Sequence, residues 1–320
     1  MQSVFDELYE NSLAKCEFKN LISIITAEEN IRLAYRNLKK NAGSRTPGTD
    51  GKTIADLAKM SEPELIGFVQ QKFNWYQPQS VRRKEIPKGN GKTRPLGIPT
   101  IMDRLIQQCV LQVMEPICEA KFCETSNGFR PNRGVENALA QAEKHMQKSN
   151  LHIVIDIDIK GFFDNVNHGK LLRQIWTMGI HDKKLLSIIS AMLKAEVAGI
   201  GFPEKGTPQG GILSPLLSNI VLNELDWWIT SQWVGMPTRH EYSGKIHENG
   251  TKDQSKKYRE LRKTNLKECY IVRYADDFKI FCRKHSDAVK LFEATRAWLK
   301  ERLGLDISPE KSKIVNLKHA

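Results

Sequence analysis

The sequence predicts an α+β fold, in which β-hairpins and a single strand lie between amphipathic helices. Residues 268–282 hold two apolar, β-favouring runs that meet at the adjacent acids Asp276 and Asp277, which is the pattern of a hairpin. Residues 27–40 and 101–120 instead repeat apolar side chains at helical spacing. With 320 residues the chain is long enough for a large core and for two subdomains around one cleft.

The composition excludes several classes of protein. No apolar run approaches the roughly 20 residues of a membrane span, and Met1–Asp6 lack the features of a secretory signal peptide. The six cysteines show no zinc spacing, so they are expected to be reduced and mostly buried. We therefore expect a reducing compartment, in the first place the bacterial cytoplasm, with an organelle as the alternative. The net charge of +12 favours a nucleic acid partner over a merely solvated basic surface.

Residues 1–44 are expected to be helical. Thr26 with Glu29 fits a capping box at the start of the helix over 27–40, and Ser61 with Glu64 fits a second capping box further along.

Residues 80–99 form the first dense basic stretch. Apolar flanks surround a Gly-Asn-Gly centre, so the stretch predicts a β-hairpin with a positively charged tip. Arg94 could bind phosphate oxygens through its forked guanidinium, and Lys88 could supply a point charge. Arg82 and Arg83 are further candidate contacts with nucleic acid. A solvated hairpin without a ligand is the alternative.

Two further segments are candidates for nucleic acid contacts. In the loop 126–134, Arg130 and Arg133 stand near the aromatic Phe129, a combination suited to backbone contact and base stacking. Residues 236–268 are polar and basic and predict an exposed insertion, with a solvated surface as the alternative. The candidate contacts in the insertion are Lys256, Lys257, Arg262 and Lys263.

Residues 151–158 alternate with the period of a β-strand. The isoleucines of this segment face one way, while Asp156 and Asp158 face the other. Burying two unpaired acids would cost several kcal/mol, so a cation or a hydrated cleft is expected beside them.

The acids of two chain-distant elements can serve one site. Asp158 at the end of its strand and the pair Asp276 and Asp277 at the hairpin turn could together hold two Mg²⁺ ions roughly 3.5–4 Å apart. Such a centre suits the attack of a hydroxyl on a phosphoryl group. Taken by itself, the acidic pair could equally be a turn that uses aspartate for its turn propensity.

Three motifs resemble those of reverse transcriptases, and their wording is most similar to the group II intron type, also called maturases. Tyr274–Asp277 resembles the Y-x-D-D box, Asp158–Asp164 the first catalytic strand, and Pro208–Pro215 the family's motif B. The order is correct and the resemblance extends over most of the chain. It implies right-hand polymerase fingers and palm, an antiparallel palm sheet flanked by helices, and a helical N-terminal extension.

The resemblance also implies roles for individual residues. The implied metal and catalytic residues are Asp158, Asp276 and Asp277, with the backbone of Ile159 assisting at the metal. Phe163 matches the residue that stacks under the incoming sugar and excludes a 2′-OH, with ordinary core as its alternative. The implied nucleotide contacts are Gln209, Gly210, Arg94 and Lys88, with Lys92 as an alternative to Lys88. Either Lys311 or Lys313 matches the basic residue that protonates pyrophosphate.

The resemblance divides the chain into an extension over 1–44, fingers over 45–150 and palm over 151–320, with the thumb and later domains absent. It implies RNA-directed DNA polymerase activity with Mg²⁺, or Mn²⁺ as an alternative ion. The implied partners are group II intron RNA, an RNA template with a DNA primer, and dNTPs, without a membrane. A homodimer is an alternative to the monomer. The alternatives for function are a non-catalytic RNA-binding splicing cofactor, an RNA-templated RNA polymerase, and another reverse transcriptase lineage.

Overall fold

The computed structural model describes residues 1–87, 93–242, 244–246, 248 and 252–318. The chain divides into two compact units, each built from two segments. Unit 1 comprises Met1–Phe122 and Gly161–Val221, and unit 2 comprises Cys123–Lys160 and Leu222–Ala320. The division into extension, fingers and palm uses contiguous ranges instead, and it stays a prediction.

The α+β class is confirmed, because helices and antiparallel sheets both occur. The helices in chain order are α1 (Gln2–Leu13), α2 (Leu21–Ile25), α3 (Glu28–Lys40), α4 (Ile54–Leu57), α5 (Glu62–Asn74), α6 (Ile101–Glu119), α7 (Val135–Glu143), α8 (Phe162–Asn165), α9 (His168–Thr177), α10 (Lys183–Leu193), α11 (Ser214–Gln232), α12 (Ser255–Leu261) and α13 (His285–Trp298). The strands are β1 (Arg82–Pro87), β2 (Thr93–Ile98), β3 (Ile153–Ile157), β4 (Cys269–Tyr274), β5 (Asp277–Cys282) and β6 (Lys313–Asn316). Short 3₁₀ and π-helical turns cover Ala42–Arg45, Lys144–Lys148 and Leu299–Leu303.

Helix α6 lies at the centre of unit 1 and packs against α1, α2 and α3. Its apolar stripe has the helical spacing that the sequence predicts, and all five of its members are fully buried. These residues are Ile101, Leu105, Cys109, Val113 and Ile117. The Thr100 hydroxyl caps the helix by accepting a hydrogen bond from the Asp103 amide at 3.2 Å.

One of the two predicted capping interactions is present. The Glu64 carboxylate accepts a hydrogen bond from the Ser61 amide at 2.8 Å, so α5 begins as predicted. The predicted box at Thr26 is wrong, since α3 has Ala27 at its N-cap. The Thr26 hydroxyl instead donates to the Ile22 carbonyl of α2 at 2.8 Å. The Thr26 side chain therefore bonds to the preceding helix α2, whereas the local pattern assigned it to α3.

The basic hairpin is confirmed as an antiparallel pair of β1 and β2, with Arg82 opposite Ile98 and Pro87 opposite Thr93. Its tip, residues 88–92, lies outside the described residues, and so does the predicted contact Lys88.

Unit 2 is organised by a four-stranded antiparallel sheet with the strand order β4-β5-β3-β6. Both faces of β3, one of the two inner strands, are covered. Val154 packs with Leu151, Val272 and Phe281 in one buried cluster, and Tyr270 adds to it. Helix α13 contacts β3, β5 and β6, while α7 contacts β4. The strand of alternating acids and isoleucines therefore lies inside the unit, and its acids reach water only near its end.

The basic segment 236–268 contains helix α12, which the sequence analysis did not predict. All six cysteines are free thiols; five are buried and Cys16 is exposed, as expected for a reduced protein. Among the described helices, none is long and apolar enough to cross a membrane.

Candidate active site

The register of the unit 2 sheet brings acids from two neighbouring strands together. Ile157 of β3 pairs with Phe278 of β5, so Asp158 directly follows one partner and Asp277 directly precedes the other. Tyr274 pairs with Asp277 across the hairpin, and Asp276 therefore lies in its two-residue turn. We call Asp158, Asp276 and Asp277 the carboxylate edge.

The turn before Asp276 has an unusual backbone. Ala275 is buried and has a φ of 56°, in the left-handed region that residues with a Cβ rarely adopt. The loop before α7 packs directly against it, since a Cβ added to Gly128 would lie 2.2 Å from the Ala275 nitrogen. Glycine at 128 therefore serves the close approach of two backbone segments.

The backbone of Asp158 is fixed from the C-terminal segment. Its amide donates to the Ser312 hydroxyl at 3.2 Å, and its carbonyl accepts from the Ser308 amide at 2.7 Å. Ile159 follows in an antiparallel bridge with Ile307. The strand end is thus held in place while the Asp158 side chain stays partly exposed, at 41%.

Two lysines neutralise the acids in this conformation. The Lys279 ammonium bridges Asp156 and Asp277, at 2.7 and 2.6 Å. Burial opposes its charge, but the hydrogen bonds and the charge attraction of the two acids together outweigh burial and raise the pKa of Lys279. The Lys311 ammonium lies 3.3 Å from the Asp158 carboxylate. The cation expected beside Asp156 is therefore supplied by the protein itself.

The donor set suits a hard divalent cation, because the carboxylate edge offers oxygen ligands near water. As the side chains stand, no three Asp, Glu, His or Cys groups within the described residues are gathered closely enough to hold a metal. A metal held by Asp277 and Asp158 would compete with Lys279 and Lys311 for these carboxylates.

Unit 1 contains a pocket of about 180 Å³ that is lined by other predicted residues. Phe163 and Gln209 line it together with Leu96 and Gly97 of β2, and its wall is largely apolar. Phe163 is half-buried, whereas its neighbour Phe162 is core at 2% exposure. Phe162 is therefore the core residue of this pair, and the alternative that placed Phe163 in the core does not hold.

The glycine-rich loop of this pocket is held from both sides. The Gly97 amide donates to the Gln209 carbonyl at 2.8 Å, and the Thr207 amide donates to the Phe163 carbonyl at 2.7 Å. Gly210 has a φ of 128°, and a Cβ there would lie 2.6 Å from the Gly97 carbonyl oxygen. Only glycine fits this position without displacing β2.

The predicted nucleic acid contacts fall into two groups. Arg94 is exposed, and Arg83 is ion-paired with Glu85 at 2.7 Å. Arg133 is half-buried, and its guanidinium donates to the Glu124 carbonyl at 3.0 Å. Arg130 is 9% exposed, and its guanidinium donates to the Cys123 and Ser126 carbonyls. This corrects the expectation for Arg130, whose role in the structure is to hold its own loop.

The cations of the basic insertion are mostly engaged within the protein. Lys257 donates to the Val234 carbonyl, Lys263 pairs with Glu260, and Arg262 pairs with Glu268. Lys256 and the half-buried Arg82 keep their predicted role as candidates.

Sequence reasoning missed the charged pair behind the turn. Arg273 lies in β4 beside Asp226 of α11, and both side chains are fully buried. The available signal was a lone arginine in the apolar β4 and an acid, Asp226, among the tryptophans and leucines of α11, since buried charges require partners.

Comparison with known proteins places these residues in a family context. Residues 86–319 match the family described as "Reverse transcriptase (RNA-dependent DNA polymerase)". Protein YkfC of Escherichia coli is 33% identical over 92% of this chain and 79% of its own length. Group II intron-encoded protein LtrA of Lactococcus lactis is 33% identical over 98% of this chain, and the yeast "Putative COX1/OXI3 intron 2 protein" is 28% identical over 99%. The chain spans only 57% and 40% of the lengths of these last two relatives.

Proposed function

This chain belongs to the reverse transcriptase family, and we propose that it is an RNA-directed DNA polymerase of the group II intron type. It would extend a DNA primer from its 3′-OH on an RNA template. The proposal is carried by the sheet register, which aligns Asp158 with Asp277 next to the turn that holds Asp276. Carboxylates from adjacent strand ends are what a two-ion centre for phosphoryl transfer requires.

Reverse transcriptases use divalent metal ions. In this chain Asp158, Asp276 and Asp277, with the Ile159 backbone, would hold two Mg²⁺ ions, or Mn²⁺ in their place. The ions would supply activation of the primer 3′-OH and neutralisation of the leaving pyrophosphate. Lys279 would release Asp277 to them. Lys311 would release Asp158 and so become available as a proton donor to the leaving group, with Lys313 as the alternative donor.

Nucleotide selection is assigned to the unit 1 pocket. The ring of Phe163 would exclude a 2′-OH by steric clash, and this favours deoxynucleotides over ribonucleotides. Gln209 and Gly210 would line the sugar and the templating pair. Arg94 and Lys88 would bind the triphosphate.

Primer extension by Asp276→Asn tests the polymerase proposal. The substitution keeps the shape of the side chain but removes the charge that a metal needs, so Mg²⁺-dependent extension should be abolished. Asp306→Asn is the matched control, because Asp306 is an exposed acid of the same unit that pairs with Lys300 at 2.8 Å. Extension by Asp276→Asn near the wild-type rate would overturn the proposal.

A second candidate is a splicing cofactor that binds intron RNA. The net charge of +12 and the intron-encoded relatives favour it. Affinity for group II intron RNA should then fall steeply with salt, because each neutralised phosphate releases counterions. Binding that ignores salt would argue against the basic surface, and splicing that persists in Asp276→Asn would separate this function from synthesis.

A further inference from the structure

Arg273 and Asp226 form a fully buried ion pair directly behind the turn of the carboxylate edge. Both side chains are 0% exposed. The Arg273 Nε lies 2.9 and 3.0 Å from the two oxygens of Asp226, and Nη2 lies 2.6 Å from one of them. Desolvating two ions is costly, so the position of this pair calls for an explanation beyond stability.

The guanidinium makes a further contact with the turn itself. Its Nη1 donates to the carbonyl of Ala275 at 2.7 Å. The planar fork of arginine fixes the directions of its donors relative to each other. Asp226 on α11 thereby determines where the Ala275 carbonyl lies, and Asp276 is the next residue along the chain.

The backbone of Arg273 is fixed as well. Its amide donates to the Thr125 carbonyl, and its carbonyl accepts from the Asn127 amide, both at 2.9 Å. With Gly128 packed against Ala275, the left-handed turn is held by contacts on two sides. Residues in sparsely populated backbone regions persist only when their surroundings over-determine them.

We propose that Arg273 and Asp226 are positioning residues, which hold the Ala275 carbonyl and so orient Asp276 toward the metals of the reaction. The inference rests on the proposed polymerase function. If the proposal holds, folded variants at Arg273 or Asp226 should bind metal more weakly. Their affinities for RNA and for nucleotide should not fall.

Arg273→Lys is the first test. Lysine keeps the positive charge beside Asp226 but lacks the fork that also reaches the turn. The Mg²⁺ concentration for half-maximal extension should rise about tenfold, because small misplacements at a catalytic centre have large effects. The KM for dNTP should stay within about twofold of wild type, since the nucleotide pocket is untouched.

Arg283→Lys is the matched control. Arg283 pairs with Glu268 at 2.6 Å on the same hairpin and makes no described contact with the turn. Its Mg²⁺ dependence should match that of wild type. A purely structural role for Arg273 predicts equal behaviour of the two variants once each rate is corrected for the folded fraction.

The double variant Arg273→Met with Asp226→Leu keeps the test decisive if the single variant does not fold. It removes both charges, and apolar replacement of a buried pair preserves folding in comparable cases. The turn still loses its donor, so Mn²⁺ binding followed by electron paramagnetic resonance should weaken by about tenfold. This readout is independent of activity.

The outcomes separate the two proposals. The positioning role would be overturned by wild-type Mg²⁺ dependence in folded Arg273→Lys, or by wild-type Mn²⁺ affinity in the double variant. The polymerase proposal would still stand in that case if Asp276→Asn were inactive. Activity in Asp276→Asn would overturn both. Weakened metal binding in the folded Arg273 and Asp226 variants, with wild-type behaviour in Arg283→Lys, would support the proposal.

Discussion

The two ends of the β4–β5 hairpin both carry arginine–carboxylate pairs, but they do so in opposite environments. At the turn end, Asp226 and Arg273 are fully buried. At the open end, the Glu268 side chain is 6% exposed, while its partners Arg262 and Arg283 are 45% and 35% exposed. The arginine that is hydrogen-bonded to Asp226 is fully buried, whereas the two arginines that pair with Glu268 reach water.

The pKa values of the two acids move in opposite directions. Complete burial raises the pKa of Asp226, and Arg273 offsets this only in part. Burial also opposes the charge on Glu268, but the hydrogen bonds and the charge attraction of Arg262 and Arg283 together outweigh burial and lower the pKa of Glu268. Ionised Glu268 therefore stabilises the open end of the hairpin. At the turn end, the desolvation of two charges opposes stability, and the pair instead fixes the geometry of the turn.

Truncation at the turn end should give the largest effect. Asp226→Ala leaves the Arg273 charge buried without its partner, so the free energy of unfolding should fall by about 3–5 kcal/mol. Urea denaturation followed by tryptophan fluorescence measures this. A loss below about 1 kcal/mol, typical of exposed pairs, would remove the distinction between the two ends.

Gly128→Ala should have the next largest effect, because the added methyl group would press on the same turn from the loop before α7. Its Cβ would lie 2.2 Å from the Ala275 nitrogen, a backbone atom that cannot move aside alone. We expect a loss of about 1–3 kcal/mol in stability from overpacking. As for Arg273→Lys, the Mg²⁺ concentration for half-maximal extension should rise. Gly67→Ala in α5 is the control: its Cβ meets nothing within 4 Å, so the change should be neutral or stabilising.

The open end should respond less to a comparable change. Glu268→Gln removes a charge whose arginine partners remain hydrated, so the loss should be about 1 kcal/mol or less at neutral pH. The Mg²⁺ dependence of extension should not change, because Glu268 makes no described contact with the turn. A shift in that dependence would show that the whole hairpin, rather than its turn, orients the acids.

Sequence patterns predicted the local elements of this site well. The period of two over residues 151–158 and the paired apolar runs around Asp276 identified β3 and the hairpin, because both patterns are set by neighbours in the chain. The register that aligns Asp158 with Asp277 depends on how distant strands pair, so it needed the structure. The assignment of metal ligands stays a prediction.

Two of the failures of sequence reasoning concern buried arginines. Arg273 and Asp226 are 47 residues apart, so their pairing is a tertiary event that no local pattern encodes. Arg130 stands in a loop rich in glycine, proline and asparagine, which usually indicates exposure, yet two backbone carbonyls take its guanidinium. In each case a buried polar group needed a partner. Asp226 is distant from Arg273 in the sequence, and the partners of Arg130 are backbone carbonyls, which carry no side-chain signal.

The pH dependence of stability should give the smallest difference, and it sharpens the contrast at the open end. The folded pKa of Glu268 lies below its ordinary value of 4.5, so ionised Glu268 stabilises the fold above that pH. This contribution should be lost as the pH falls through the lowered folded value. Wild type should therefore exceed Glu268→Gln in stability at pH 7, and the gap should close in acid. We would measure it by urea denaturation of both proteins from pH 7 to below pH 4. A gap that widened in acid would mean that burial, rather than the two arginines, controls Glu268 as it controls Asp226.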